Sequence, residues 1–233
     1  MSKMSAECGI PDGALAAAMD TVGEWYGGDR MAPLDTPLTT EEIWASQVQD
    51  VLASRGIVAD LSRFGDKWFS GRPANAEWLS FLHRLKNAGY VVGMLSNMVP
   101  SWDRLWREMV PRADALFDHT VFSFSCGYRK PEATIFALAA GRCGLPPASC
   151  VLVDDLAANC AGARVAGWHA VEFSDAMQAA AELTAVLADL GDLADLAGVA
   201  GAAGAAGLAG VAGAAGLARV AGGQPGPGLG CPP

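Results

Sequence analysis

Residues Val151–Asp155, Val-Leu-Val-Asp-Asp, constrain the fold more than any other stretch of the chain. Three apolar β-formers run directly into adjacent carboxylates, and a helical stretch from Leu156 to Ala166 follows, closed by Gly167. A short, continuously apolar run of this kind reads as a strand buried on both faces in a parallel sheet. The carboxyl edge of such a sheet is where open α/β folds bind their ligands. Two other segments share the design: Val91–Asn97 is apolar and ends in Ser96-Asn97, and Lys130-Pro131 opens a helix. Together they supply a hydroxyl, an ammonium and a carboxylate pair, the parts of a site for phosphate and a hard cation.

The periodicity divides the chain. Residues 12–25 place Leu15, Met19, Val22 and Trp25 or Tyr26 on one helical face, ending at Gly27-Gly28. Thr39-Thr40-Glu41-Glu42 reads as a capping box with Thr39 as N-cap, ahead of a helix carrying Trp44, Val48, Val51 and Leu52. A shorter helix is expected over Leu61–Phe69. From Ala74 onward, helices of about ten to fifteen residues alternate with apolar strands. The strands are Tyr90–Leu95, Val121–Ser123, Cys150–Val153 and His169–Phe173; the helices are Ala74–Ala88, Ser101–Met109, Ala133–Cys143, Leu156–Ala166 and Met177–Leu190. This alternation predicts βαβ units and a parallel sheet. The expected division is a helical cap region at 1–72, an α/β core at 73–195 and an Ala/Gly-rich tail at 196–233.

In that tail Arg219 is the only charged residue, glycine recurs every third position from Gly198 to Gly216, and Leu-Ala-Gly-Val-Ala-Gly-Ala-Ala-Gly occurs at 196–204 and 208–216. The period is that of collagen, but no proline falls inside it. The charge-free run is long enough to span a bilayer, yet it has few large apolar side chains, so a flexible low-complexity extension is expected and a membrane role is disfavoured. The net charge of −9 and the absence of any basic cluster argue against a nucleic-acid partner. Six cysteines without a Cys-x-x-Cys pair or zinc-like spacing read as reduced thiols in a cytoplasmic protein. His83, His119 and His169 form no cluster, and Trp102 and Trp106, one turn apart, are expected in the core.

Leu95-Ser96-Asn97, Arg129-Lys130-Pro131-Glu132, and Val153-Asp154-Asp155 with Asn159 and Gly167 resemble, in order and spacing, the second, third and fourth motifs of the haloacid-dehalogenase-like (HAD) hydrolases. The resemblance spans about Ala14 to Phe173 and points to the subgroup with a small helical cap after the first strand. It implies an α/β, HAD-like Rossmannoid parallel sheet and Mg²⁺-dependent hydrolysis of a small phosphorylated metabolite through an aspartyl-phosphate. It further implies that Ser96, with the Asn97 backbone, holds the phosphoryl group. Lys130 would neutralise nucleophile and phosphate, and Asp154 and Asp155 would serve the metal. The alternatives are a non-catalytic phosphate-ligand binding protein on the same scaffold and a dehalogenase-type hydrolase, which needs no Mg²⁺. Taken singly, each motif has a plainer reading: a helix N-cap for the paired acids, a solvated side chain for Lys130 and a turn for Ser96-Asn97.

The chain departs from the family in one respect. The first motif of the family is Asp-x-Asp after an apolar strand, and none of the sixteen aspartates here has another two residues away. The first strand, on the order of 20 residues with its loop, is therefore expected to be missing. Its place in the family is central, between the strands ending at Ser96 and Asp154, so those two strands would lose their shared neighbour. The chain then reads as a truncated or mis-started enzyme, as a degenerate remnant that folds poorly, or as a non-catalytic descendant that closes the sheet some other way.

Overall fold

The structure, a computed structural model, describes residues 2–110, 112–190 and 215–219. In chain order the helices are α1 (Ser2–Glu7), α2 (Ala14–Trp25), α3 (Ala32–Asp35), α4 (Glu41–Ser54), α5 (Phe64–Phe69), α6 (Ala76–Asn87), α7 (Asp103–Met109), α8 (Ala113–Leu116), α9 (Ser123–Cys126), α10 (Ala133–Cys143), α11 (Ala157–Val165) and α12 (Ala176–Asp189). The strands are β1 (Tyr90–Ser96), β2 (His119–Phe122), β3 (Cys150–Asp154), β4 (His169–Glu172) and β5 (Ala215–Arg219). They fall into two compact units. One comprises Met1–Arg72, Asn97–Pro111 and Ser123–Gly127; the other comprises Pro73–Ser96, Arg112–Phe122 and Tyr128–Pro233.

The first unit is helical. Its α2 and α4 pack through Leu15, Met19, Val22, Trp44, Val48 and Leu52, all fully buried. The N-cap of α4 is Thr40, whose hydroxyl accepts from the Ile43 N–H, one residue later than the capping-box reading placed it. Glu41 in the first turn of α4 then ties three elements together. The Gly65 N–H donates to its Oε1 at 3.0 Å, and Ser101 Oγ and Trp102 Nε1 each donate to its Oε2 at 2.6 Å. Phe64 lies beside this clamp, edge-on to Trp44 and stacked with Trp68 and Trp102. Trp102 and Trp106 are core residues, whereas Trp25 is exposed.

The second unit is an α/β sheet with the order β2-β1-β5-β3-β4. Strand β1 pairs parallel with β2, and β3 parallel with β4. Both inner strands are buried along nearly their whole length, as strands covered on two faces must be. Helices α6 and α12 pack on each other and on β1 and β3–β4; α10 and α11 form a second such pair. Asn75 and Asp175 cap α6 and α12, each side chain accepting the N–H of the helix's third residue. Gly89 (φ 89°) and Gly167 (φ 83°) adopt the left-handed backbone that turns α6 into β1 and α11 into β4, a conformation costly for residues with a Cβ.

The central position of the sheet is filled, as the third of the expected alternatives requires. Strand β5 comes from the Ala/Gly-rich tail and runs antiparallel to both neighbours. The tail segment 215–219 is thus ordered into the sheet, which its composition did not suggest; the rest of the tail, including most of the charge-free run, lies outside the described residues. No helix among the described residues is long and apolar enough to cross a membrane. Of the cysteines, Cys150 and Cys160 are buried and Cys8, Cys126 and Cys143 half-buried, all as free thiols; Cys231 lies outside the described residues.

Candidate active site

Strands β1 and β3 end side by side in function though not in pairing: each flanks β5, and each delivers its last residue, Ser96 or Asp154, to the same edge of the sheet. Ser96 and Asp154 are both buried. Lys130 comes from the loop before α10, and its ammonium reaches the same edge. Its Nζ donates to Asp154 Oδ2 at 2.6 Å and to the Leu95 carbonyl at 2.9 Å. Both side chains are almost completely withdrawn from water (3% and 1% exposed), which makes this a buried ion pair and not a surface contact.

Asp154 is held from the other side as well. Its Oδ1 accepts the Leu156 N–H and the Asn159 side-chain amide, both at 2.9 Å. Every oxygen of the carboxylate is therefore engaged, two bonds fixing its plane and one ion pair compensating its charge. The plain N-cap reading of the paired acids is partly realised, because the Leu156 N–H bond lies at the head of α11. The same residue also carries the only ion pair buried on both sides among the described contacts, which an N-cap alone does not need. Asp155, next to it, points to solvent. Partial burial, and after it the charge of Asp154, push its carboxyl above the usual range.

The position of Lys130 has a cause that periodicity could not reveal. A Cβ at Gly162, in the middle of α11, would lie 2.5 Å from the Pro131 carbonyl oxygen and 2.6 Å from Pro131 Cβ. Gly162 thus lets α11 close on the Lys130-Pro131 turn, whose peptide bond is cis. A glycine inside an otherwise Ala-rich helix was the available signal. The Leu95 carbonyl left no signal at all, because a backbone oxygen has no residue type.

Ser96, Lys130, Asp154 and Asp155 belong to the sheet unit, with Asn159 as their neighbour, and Asn97 directly follows Ser96 in the chain. A magnesium ion needs near-octahedral oxygen coordination. Here Asp154 is neutralised by Lys130, and no group of three acid, histidine or cysteine side chains exists among the described residues. Magnesium usually takes only one or two carboxylates and completes its shell with water and phosphate, so Asp154 and Asp155 are the residues that would hold it, Asp154 being shared with Lys130. Nor does an acid stand between Ser96 and Asp154: β5, Ala-Gly-Leu-Ala-Arg, has none. What remains is a hydroxyl and a compensated ammonium at the edge of a parallel-type sheet.

Residues 46–167 match the haloacid dehalogenase-like hydrolase family. Among solved structures, the chain is similar to a predicted HAD-like family hydrolase from Porphyromonas gingivalis (19% identity, 75% of this chain and 89% of that one, TM-score 0.56). It is also similar to a HAD family enzyme from Bacteroides thetaiotaomicron in complex with magnesium and inorganic phosphate (19% identity, 70% and 86%, TM-score 0.52). A third, an L-2-haloacid dehalogenase, shares 19% identity over 69% of this chain and 73% of that one, with a TM-score of 0.53. At these identities the likeness is one of fold.

Proposed function

Because the chain belongs to the haloacid dehalogenase-like hydrolase family, we propose that it carries the phosphate-handling half of a phosphatase-type site and does not turn over phosphate monoesters in this 233-residue form. The carrying observation is the identity of the central strand. Between the strands that end in Ser96 and Asp154 runs β5, which has no carboxylate to attack phosphorus. Phosphoryl transfer is mostly alignment and charge stabilisation, but an aspartyl-phosphate route still requires the attacking oxygen.

In this reading the Ser96 hydroxyl donates to a non-bridging phosphate oxygen, and the Lys130 ammonium supplies the positive charge. Asp154 and Asn159 hold Lys130 in place as positioning residues. An incoming dianion competes with Asp154 for the ammonium, so binding is expected to be weak unless Lys130 is shared. The similar HAD family enzyme from Bacteroides thetaiotaomicron is in complex with magnesium and inorganic phosphate, which supports testing both as ligands of this chain.

The test is hydrolysis of para-nitrophenyl phosphate by the purified chain with magnesium, beside Asp154→Ala. No turnover is expected from either protein. Turnover that disappears in Asp154→Ala would mean that another acid replaces the missing nucleophile, and the reading would fail. Stabilisation by inorganic phosphate that is lost in Lys130→Met, without turnover, is the expected result, and no stabilisation of the unmodified chain would mean that the phosphate-handling half is absent. Halide release from an L-2-haloacid would favour the dehalogenase alternative.

A further inference from the structure

The segment at the centre of the sheet is the one whose composition least suggests a strand. Alanine and glycine are poor β-formers, so this segment has little reason of its own to be extended. Its place is fixed by its neighbours. Strands β1 and β3 are parallel to each other, pair outward with β2 and β4, and turn their inner edges toward the same gap. Buried backbone N–H and C=O groups on those edges require partners. Segment 215–219 meets both edges at once: Tyr90–Met94 lie opposite Arg219–Ala215, and Cys150–Val153 lie opposite Ala218–Ala215, with Leu217 facing Val92 on one side and Val151 on the other.

We propose that the space between β1 and β3 is a strand-binding slot and that the Ala/Gly-rich tail is its built-in occupant. The tail is then a working part of the fold that closes the sheet and leaves its ligand edge without an acid.

Three observations support this. The middle of a sheet with helices on its faces excludes charge, and segment 215–218 carries none. Charge returns at Arg219, which stands opposite Tyr90, the first residue of β1, at the end of the sheet away from Ser96 and Asp154. Recognition by backbone pairing needs only an extended, unhindered segment, which explains how a sequence without β-propensity fills the position. The antiparallel direction brings Ala215 to within two positions of Ser96 and one of Asp154 in register, so the end of β5 nearest the site is an alanine.

The test uses the full chain. Successive residues of a strand direct their backbone groups to opposite neighbours. Gly216→Pro together with Leu217→Pro therefore removes one N–H toward each side. Amide exchange in β1 (Val91–Leu95) and β3 (Val151–Val153) is expected to accelerate at least about ten-fold and Tm to fall by about 5 °C or more. Gly201→Pro, elsewhere in the tail, is the control and should change neither. A second measurement does not depend on how well the proline chain folds. Cys150 stands directly opposite Ala218, at a spacing a disulfide spans. Ala218→Cys, treated with an oxidant, should yield a link from the introduced thiol to Cys150, identified by peptide mapping, and Gly201→Cys should not. Burial pushes the Cys150 thiol up to about 12, so the reaction will be slow and a strong oxidant is needed. Equal exchange in all three chains, or equal cross-linking at both positions, would overturn the proposal.

Discussion

The two units each organise themselves around one acid, and the two acids are held in opposite ways. Glu41 in the helical unit is satisfied by neutral donors only: a backbone N–H, a hydroxyl and an indole N–H. Asp154 at the sheet edge takes two N–H bonds and a lysine. Glu41 remains partly in contact with water, which shares the cost of its charge, whereas Asp154 is buried and needs a counter-ion. The difference separates an acid that joins helices through neutral donors from an acid that holds a buried lysine.

Removing the lysine is the most severe way to break that contrast. Lys130→Met leaves Asp154 buried and uncompensated, and a loss of about 3–5 kcal/mol is expected by urea denaturation. Glu41→Gln keeps a side chain of the same shape but turns an amide donor toward existing donors, with an expected cost of about 1–3 kcal/mol. If the two losses were equal, the distinction between the acids would not hold.

The glycines beside these acids sharpen it. Gly65 approaches Trp102 so closely that an added Cβ would lie 2.5 Å from its Nε1, and Gly162 approaches the Pro131 backbone equally closely. Alanine gains at most about 1 kcal/mol of helix propensity at either place, against about 1–3 kcal/mol of overpacking, so both substitutions should destabilise. Gly162→Ala should cost more, because a main-chain oxygen yields less readily than a ring; thermal unfolding of the two variants side by side decides it.

The smallest effect concerns Asp155. Its carboxyl is raised by partial burial and by Asp154, so the folded chain holds this proton more tightly than the unfolded one. Its contribution therefore favours folding only while it is protonated, and is lost as pH rises from the unfolded value near 4 through the raised folded one. Asp155→Asn should raise Tm slightly at pH 7, and the gain should vanish below about pH 4. A gain of constant size across that range would show that the carboxyl is not strained by its surroundings.

Much of the sheet unit was legible because its elements are locally encoded. Apolar runs bounded by helix-ending glycines mark β1, β3 and β4 to within a residue or two, and Gly89, Gly144 and Gly167 fall where positive φ is required. In the helical unit the longer helices α2 and α4 were legible, α4 down to its cap, with a one-residue error between Thr39 and Thr40. That error arises because two adjacent threonines offer the same hydroxyl, and only backbone geometry selects between them.

The short helices α1, α3, α8 and α9 were not foreseen, since four to six residues carry too little periodicity to register. Nor was the partner of Lys130. The resemblance assigned that lysine to a nucleophile and a phosphate, and in the absence of a neighbouring acid from the central strand it pairs with Asp154.

By itself the sequence determined the α/β alternation, the residues at the ligand edge and the absence of an Asp-x-Asp nucleophile, because each depends on residue type and spacing along the chain. The tertiary structure alone decided what occupies the middle of the sheet. That choice rests on the backbone hydrogen-bonding demand of β1 and β3, which any extended charge-free segment can meet and which no side chain announces.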